Sequence, residues 1–216
     1  NQDFSIEAQA GEAFCFKWRA DEMCLEQIQM KGMHQVDNCA VALAALRFAD
    51  IKLSLAQANR GARETLWPGR TEVLERSPFI IIDGAHNPAG VETLSQTLMG
   101  PLDFPTQKWI LLVGFSQGHD PKAWAEAWPA NCQPSEVWVV PPDMPRALSL
   151  TDTLAGLKAV WPHAKPMTDL KSSFEQAREK LLAQGGGLCL AGSLYLVGEA
   201  RALFRNESLD PQFPLF

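Results

Sequence analysis

The residues in this sequence best suited to chemistry follow short apolar runs. Phe79-Ile80-Ile81-Ile82 leads into Asp83-Gly84-Ala85-His86-Asn87-Pro88. Gly84 allows a tight turn, and Pro88 suits the first turn of a helix. Asp83 and His86 would then project from the end of a strand. A carboxylate there can accept hydrogen bonds from ribose hydroxyls, and a helix start favours an anionic partner. A plainer role is open to the same residues, with Asp83 and Asn87 as turn and cap and His86 as a bystander. Trp109–Val113 leads into Gly114-Phe115-Ser116-Gln117-Gly118-His119-Asp120, where Asp120 can cap a helix beginning at Pro121. Leu188–Ala191 leads into Gly192-Ser193-Leu194-Tyr195. Ser193 can cap a helix, or offer its hydroxyl and nearby backbone donors to a carboxylate. Arg70 follows Pro68-Gly69, where its guanidinium fork could reach phosphate oxygens across a hinge. A surface arginine is the alternative.

The elements that must position these residues fall into two patterns. Over residues 3–30 apolar residues alternate: Phe4, Ile6 and Ala8 on one face, then Phe14, Phe16 and Trp18, with Gly11-Glu12 as a turn. This predicts antiparallel sheet. A helix follows, capped at Asp37-Asn38 and running through the alanine-rich segment 39–46, and a second from Ser54 to about Leu66. After Arg70 apolar runs alternate with helical stretches at about 89–99, 122–128, 151–160 and 174–183, and Lys165-Pro166-Met167 is a weak further strand. Runs apolar on both faces suit a parallel sheet covered on both sides. The prediction is an α/β fold: an open, mostly parallel Rossmann-like sheet with right-handed crossovers and helices on both faces. In such sheets ligands collect outside the carboxyl ends of the strands. The boundary is placed between residues 1–66 and 67–216.

Composition narrows the function classes. The chain has 216 residues, 46% hydrophobic and 20% charged, which suits a packed core. A net charge of -6 without a Lys/Arg run argues against nucleic acid as a partner. No apolar run reaches the roughly 18–20 residues of a membrane helix. Asn1-Gln2-Asp3-Phe4 has neither Met nor a signal pattern, and reads like the middle of a longer chain. The five cysteines are odd in number and show no Cys-x-x-Cys spacing, so buried reduced thiols in a cytosolic protein are expected. Neither a Gly-x-x-x-x-Gly-Lys-Ser/Thr nor a Gly-x-Gly-x-x-Gly motif occurs. Gly185-Gly186-Gly187 precedes a strand instead of following one, and is read as a flexible turn. The tail from Asn206 is expected to lie irregularly on the surface.

Four segments in order resemble one family. His34-Gln35-Val36-Asp37-Asn38 before an alanine-rich helix, Trp67-Pro68-Gly69-Arg70-Thr71-Glu72, Ile82-Asp83-Gly84-Ala85-His86-Asn87-Pro88 and Gly192-Ser193-Leu194-Tyr195-Leu196 resemble the corresponding motifs of folylpolyglutamate synthases and the related dihydrofolate synthases of the Mur ligase superfamily. The third is the most specific. The resemblance implies the end of a central ATP-binding domain (1–66) and a glutamate-ligase domain (67–216). It implies ATP binding by Asn38 (adenine), Arg70 (phosphates) and Asp83 (ribose), and glutamate binding by His86 and Ser193. The implied reaction is phosphorylation of a folate or dihydropteroate carboxylate by MgATP, then attack of the L-glutamate amine on the acyl phosphate. No metal ligand and no protein nucleophile is implied in this chain. The Mg2+ ligands and the glycine-rich phosphate loop would lie in an amino-terminal ATPase domain that this sequence lacks, so these residues alone are expected to be inactive. A cytoplasmic monomer is implied.

The loop 114–120 departs from the family pattern: Gly118-His119-Asp120 stands where relatives carry an acidic residue, a lysine and an aspartate. Two other readings stay open on the sequence: a fragment of a peptidoglycan-type Mur ligase, and a non-catalytic α/β ligand-binding domain.

Overall fold

The computed structural model describes residues 4–8, 13–19, 21–100 and 108–207. The Gly11-Glu12 turn and the tail beyond residue 207 lie outside them. The chain divides into two compact units, Asn1–Pro68 and Gly69–Phe216.

In the first unit β1 (Phe4–Ala8), β2 (Phe14–Trp18) and β3 (Asp21–Leu25) form an antiparallel sheet in that order. Phe14 and Phe16, two residues apart, share a face and are almost fully buried. They pack with Leu25 and Ile28 against small residues of α1 (Met33–Phe48) and α2 (Leu55–Glu64): Ala40 and Ala44, then Ala58 and Ala62. Ser54 caps α2 through a reciprocal capping box with Gln57. The cap expected at Asp37-Asn38 is not one. The helix starts at Met33, and its N-cap, Gly32, makes no side-chain bond. Val36 and Ala40 already pack on the core, and this packing holds the first turn without a cap.

The expectation of reduced thiols fails for one pair. The β2–β3 register sets Cys15 directly opposite Cys24, with Cα atoms 3.9 Å apart, and the two form a disulfide. Cross-strand pairing depends on register, so no short spacing announces it. Cys132 and Cys189 are buried free thiols, and Cys39 is a half-buried one.

The second unit is built on a six-stranded sheet. β4 (Glu72–Arg76) pairs antiparallel with β5 (Phe79–Ile82). β5, β6 (Trp109–Val113), β7 (Glu136–Val139), β8 (Lys165–Pro166) and β9 (Gly187–Ala191) are parallel, and the order is β4-β5-β9-β6-β7-β8. The last strand therefore inserts between β5 and β6. Odd and even residues of the central strands face opposite ways. Ile81, Leu111, Val113, Val139 and Cys189 pack with residues of α3 (Pro88–Met99), α4 (Pro121–Glu126) and α5 (Leu150–Lys158). Ile80, Ile82, Leu112, Leu188 and Leu190 pack with residues of α6 (Leu170–Gln184) and α7 (Leu194–Arg205). This is the predicted α/β fold with helices on both faces. Ile81 and Ile82 are 0% exposed, so truncating either to alanine costs about 2–5 kcal/mol, which anchors the strand end that carries Asp83. Among the described residues no helix is long and apolar enough to cross a membrane.

Candidate functional site

Because β9 lies between β5 and β6, the loops after these three strands emerge side by side. Bonds join them. Asp83 N–H donates to Leu190 O (2.9 Å), continuing the β5–β9 ladder, and Gly192 N–H donates to Ala85 O (2.9 Å). The Trp124 indole N–H donates to the same Ala85 carbonyl at 3.0 Å. One oxygen thus ties the loop after β5 to the loop after β9 and to α4. Ser116 Oγ and Ser193 Oγ lie 3.2 Å apart, joining the loops after β6 and β9. Gly192 has φ +99°, and a Cβ there would stand 2.7 Å from Gly114 O, so this approach requires glycine.

Asp83 is 7% exposed. Its Oδ2 accepts from Thr71 N–H (2.7 Å) and Thr71 Oγ1–H (2.9 Å), and its Oδ1 accepts from Ala85 N–H (2.8 Å). Burial raises its pKa, opposed by these donors and by the Arg70 charge. Much of its bonding capacity therefore holds the turn 69–72, where Thr71 sits at φ +44°, a conformation that costs a non-glycine residue on the order of 1 kcal/mol. Glu72 secures the same turn. It accepts from Gly69 N–H (2.9 Å) and pairs with Arg201 (3.1 Å) and Arg205 (3.0 Å) of α7. Gly84 N–H donates to Gly69 O at 2.7 Å. From this braced turn the Arg70 side chain is exposed and makes no ion pair among the described residues.

His86 is half-buried. Its Nδ1 lies 2.8 Å from Gly84 O. A carbonyl only accepts, so Nδ1 carries a proton and Nε2 of the neutral ring is an acceptor. Asn87 caps α3, its Oδ1 accepting from Gly90 N–H at 2.8 Å, and its Nδ2 faces His86 Nε2 at 3.4 Å. The His119 ring lies 4.9 Å from the His86 ring, tilted by 57°. Burial lowers the His119 pKa, and the charge of His86 lowers it further.

Ser193 is 2% exposed and caps α7, accepting from Tyr195 N–H at 3.2 Å. Asp120 caps α4 through Lys122 N–H (2.9 Å) and Ala123 N–H (3.2 Å). The structure thus brings Arg70, Asp83, His86 and Ser193 into one unit, on or beside the same sheet edge. Asn38 belongs to the first unit. It is exposed and donates to Gln35 Oε1 at 3.0 Å, leaving an amide oxygen and one further N–H.

Ser116, His119 and Trp124 were not among the predicted site residues. Ser116 and His119 follow an apolar strand, which was the available signal; Trp124 gives none beyond its place in a helix. Among the described residues the single cluster with metal-ligand geometry is Cys15, Glu22 and Cys24, and there the disulfide has consumed both thiolates. Among the described residues no group of three carboxylate or histidine ligands gathers for Mg2+.

Residues 69–194 match the family model described as "Mur ligase, glutamate ligase domain". A probable bifunctional folylpolyglutamate synthase/dihydropteroate synthase of Halobacterium salinarum is 32% identical over 179 residues, 81% of this chain and 21% of that protein. The folylpolyglutamate synthase of Lacticaseibacillus casei is 27% identical over 212 residues, 93% of this chain and 46% of that one. The Mycobacterium tuberculosis folylpolyglutamate synthase crystallised with ADP and AMPPCP superimposes with a TM-score of 0.82 at 23% identity, over 98% of this chain and 49% of that chain. This chain therefore spans about half, or less, of the relatives it matches.

Proposed function

The chain belongs to the Mur ligase family, with residues 69–194 as its glutamate ligase domain, and from that premise we propose that it works as part of an ATP-dependent amide ligase that adds L-glutamate to a folate. The observation that supports this most is the convergence of the Asp83–Pro88, Gly114–Asp120 and Gly192–Tyr195 loops at one strand edge of that domain. The likeness to folate ligases extends over most of the chain, which favours a folate over a nucleotide-sugar acceptor.

In this reading Arg70 meets the phosphates of ATP. Its neighbours Thr71 and Gly69 donate their N–H groups to Asp83 and Glu72, so the guanidinium reaches out from a rigid base. Asp83 Oδ1 has acceptor capacity left for a ribose hydroxyl, and Asn38 offers adenine a donor and an acceptor. His86 and Ser193 lie on the side of the incoming glutamate. The phosphoryl group of ATP passes to the folate carboxylate, and the glutamate amine displaces phosphate from the acyl phosphate. These groups position and neutralise charge, which is where the barrier of such a reaction is lowered. The Mg2+ ligands and the phosphate loop belong to residues outside this chain, and the 216 residues alone do not turn over. The enzyme works as a monomer in the cytoplasm.

Phosphate release by the complete protein, with MgATP and L-glutamate and with tetrahydrofolate, dihydropteroate or a nucleotide-sugar peptide as acceptor, tests this. Release that depends on a pterin acceptor is expected. Release that depends on the nucleotide sugar alone would move the chain to the peptidoglycan branch, and turnover by residues 1–216 alone would contradict the division of labour.

A further inference from the structure

Two imidazoles from different loops meet at the strand edge, and their hydrogen bonds set how the pair holds protons. His86 Nδ1 is committed to Gly84 O at 2.8 Å. Its Nε2 is a lone pair in the neutral ring, and the nearest donor, Asn87 Nδ2, stands off at 3.4 Å. Protonation at Nε2 leaves the Gly84 bond intact and needs no rearrangement. The His119 ring, 4.9 Å away, makes no hydrogen bond among the described residues. A second proton there would face the first across that gap in a half-buried setting.

Three of the other ionisable groups nearby are committed elsewhere. Asp83, under the loop, is bonded to Thr71 and Ala85. Asp120, next to His119, is turned to the N–H groups of α4, and Lys122 pairs with Glu126 at 3.6 Å. The loop after β9 contributes Ser193, which is neutral. The segment bonded to the Ser116 loop brings Asp143 and Arg146, whose charged side chains make no ion pair among the described residues.

We propose that His86 and His119 form a one-proton imidazole pair that takes up a proton shed by the incoming amino group, with His86 Nε2 as the acceptor and His119 as the positioning residue, packed against it and itself neutral. This rests on the ligase reading above and gives its amino-acid side a chemical role. In the step, the glutamate ammonium loses two protons. One passes to His86 Nε2 and the other leaves with the phosphate. The freed nitrogen lone pair forms the C–N bond, and the C–O bond to phosphorus breaks with its electron pair on phosphate. The imidazolium then returns its proton to solvent.

Two measurements test the pair separately from the ligase reading. Long-range 1H–15N NMR of the histidine rings in the 216-residue chain, followed from about pH 5 to 8, should show neutral His86 as the Nδ1–H tautomer, with His119 titrating below the ordinary histidine value. His86→Gln should raise the His119 midpoint. A neutral His86 protonated on Nε2, or a His119 midpoint indifferent to His86→Gln, overturns the pair whatever the enzyme does. In the complete protein, His86→Gln should lower kcat on the order of a hundredfold, as for loss of a general base. His119→Gln, which removes the ring packed 4.9 Å from His86, should lower kcat by a smaller factor than His86→Gln does. The KM for ATP should stay unaltered in both variants. An unaltered kcat in His119→Gln overturns the role of His119. Absence of ligase activity in the unsubstituted protein would overturn the ligase reading, and with it the catalytic step, while the NMR result still decides the pair.

Discussion

Replacing Trp124 with phenylalanine tests the account of how the strand-edge loops are held together. Trp124 is 0% exposed, and its indole N–H donates to Ala85 O. Phenylalanine keeps a ring in the core but removes that donor. The Ala85 carbonyl keeps the Gly192 N–H, so no acceptor is orphaned, and the lost bond is worth about 0.5–1.5 kcal/mol. The smaller ring also loosens edge contacts with Phe115, Trp128 and Trp161, whose centroids lie 5.2, 5.6 and 6.3 Å away. Aromatic pairs of this kind contribute about 0.5–1.5 kcal/mol each, and only part of that is lost. A total near 2–3 kcal/mol follows, which lowers Tm by roughly 4–12 °C in a chain of this size. Circular dichroism melts measure the global term. Backbone amide shifts measure the local one, with the largest changes expected at residues 85–87 and 192–193. A Tm within 2 °C or so of the parent, or amide changes no larger in those loops than elsewhere, would refute the reasoning.

Other perturbations follow from the same geometry. In the complete protein Arg70→Ala should depress kcat more than it raises the KM for ATP, since an exposed arginine on a braced turn meets the phosphates best in the closed, reacting state; a loss confined to KM would show uniform binding instead. Alkylation in denaturant without reductant should label Cys39, Cys132 and Cys189 alone, and reduction should add Cys15 and Cys24; five labelled thiols before reduction would contradict the cross-strand bond. His119 has a pKa lowered in the folded chain, so the native state resists its protonation. Its contribution to stability is present above the ordinary histidine value and is lost as pH falls through the folded value. His119→Gln should therefore flatten the fall of Tm below about pH 6.5, and an unaltered slope in Tm against pH would count against that burial.

The central strands were legible because they are buried on both faces. Phe79–Ile82 and Trp109–Val113 are continuous apolar runs, and a parallel sheet sandwiched by helices is the simplest place for them. β4 was not legible. Its Glu-Val-Leu-Glu-Arg sequence carries three charges on an edge strand, and only Val73 and Leu74 in it pack on the cores. The start of α1 was misplaced because packing of Val36 and Ala40 outweighs an absent cap. The disulfide was missed because it is a property of register.

At the candidate site, each loop could be found from the apolar strand before it. What the residues do there could not. Asp83 bonds to Thr71 twelve residues earlier, and His86 meets His119 across β9, which comes from the far end of the chain and lies between β5 and β6. Such contacts are set by strand order, to which local spacing is blind. Ser193 is bonded to Ser116 for the same reason.

The most direct test of the proposed acceptor site is the glutamate dependence of the complete protein at saturating ATP and folate, compared with that of its His86→Ala variant. Turnover that saturates with L-glutamate is predicted, with kcat/KM for glutamate at least about tenfold lower in the variant, equivalent to about 1.4 kcal/mol, and with an unaltered KM for ATP. Turnover indifferent to L-glutamate, or a stable variant with an unaltered kcat/KM for glutamate, would contradict the account.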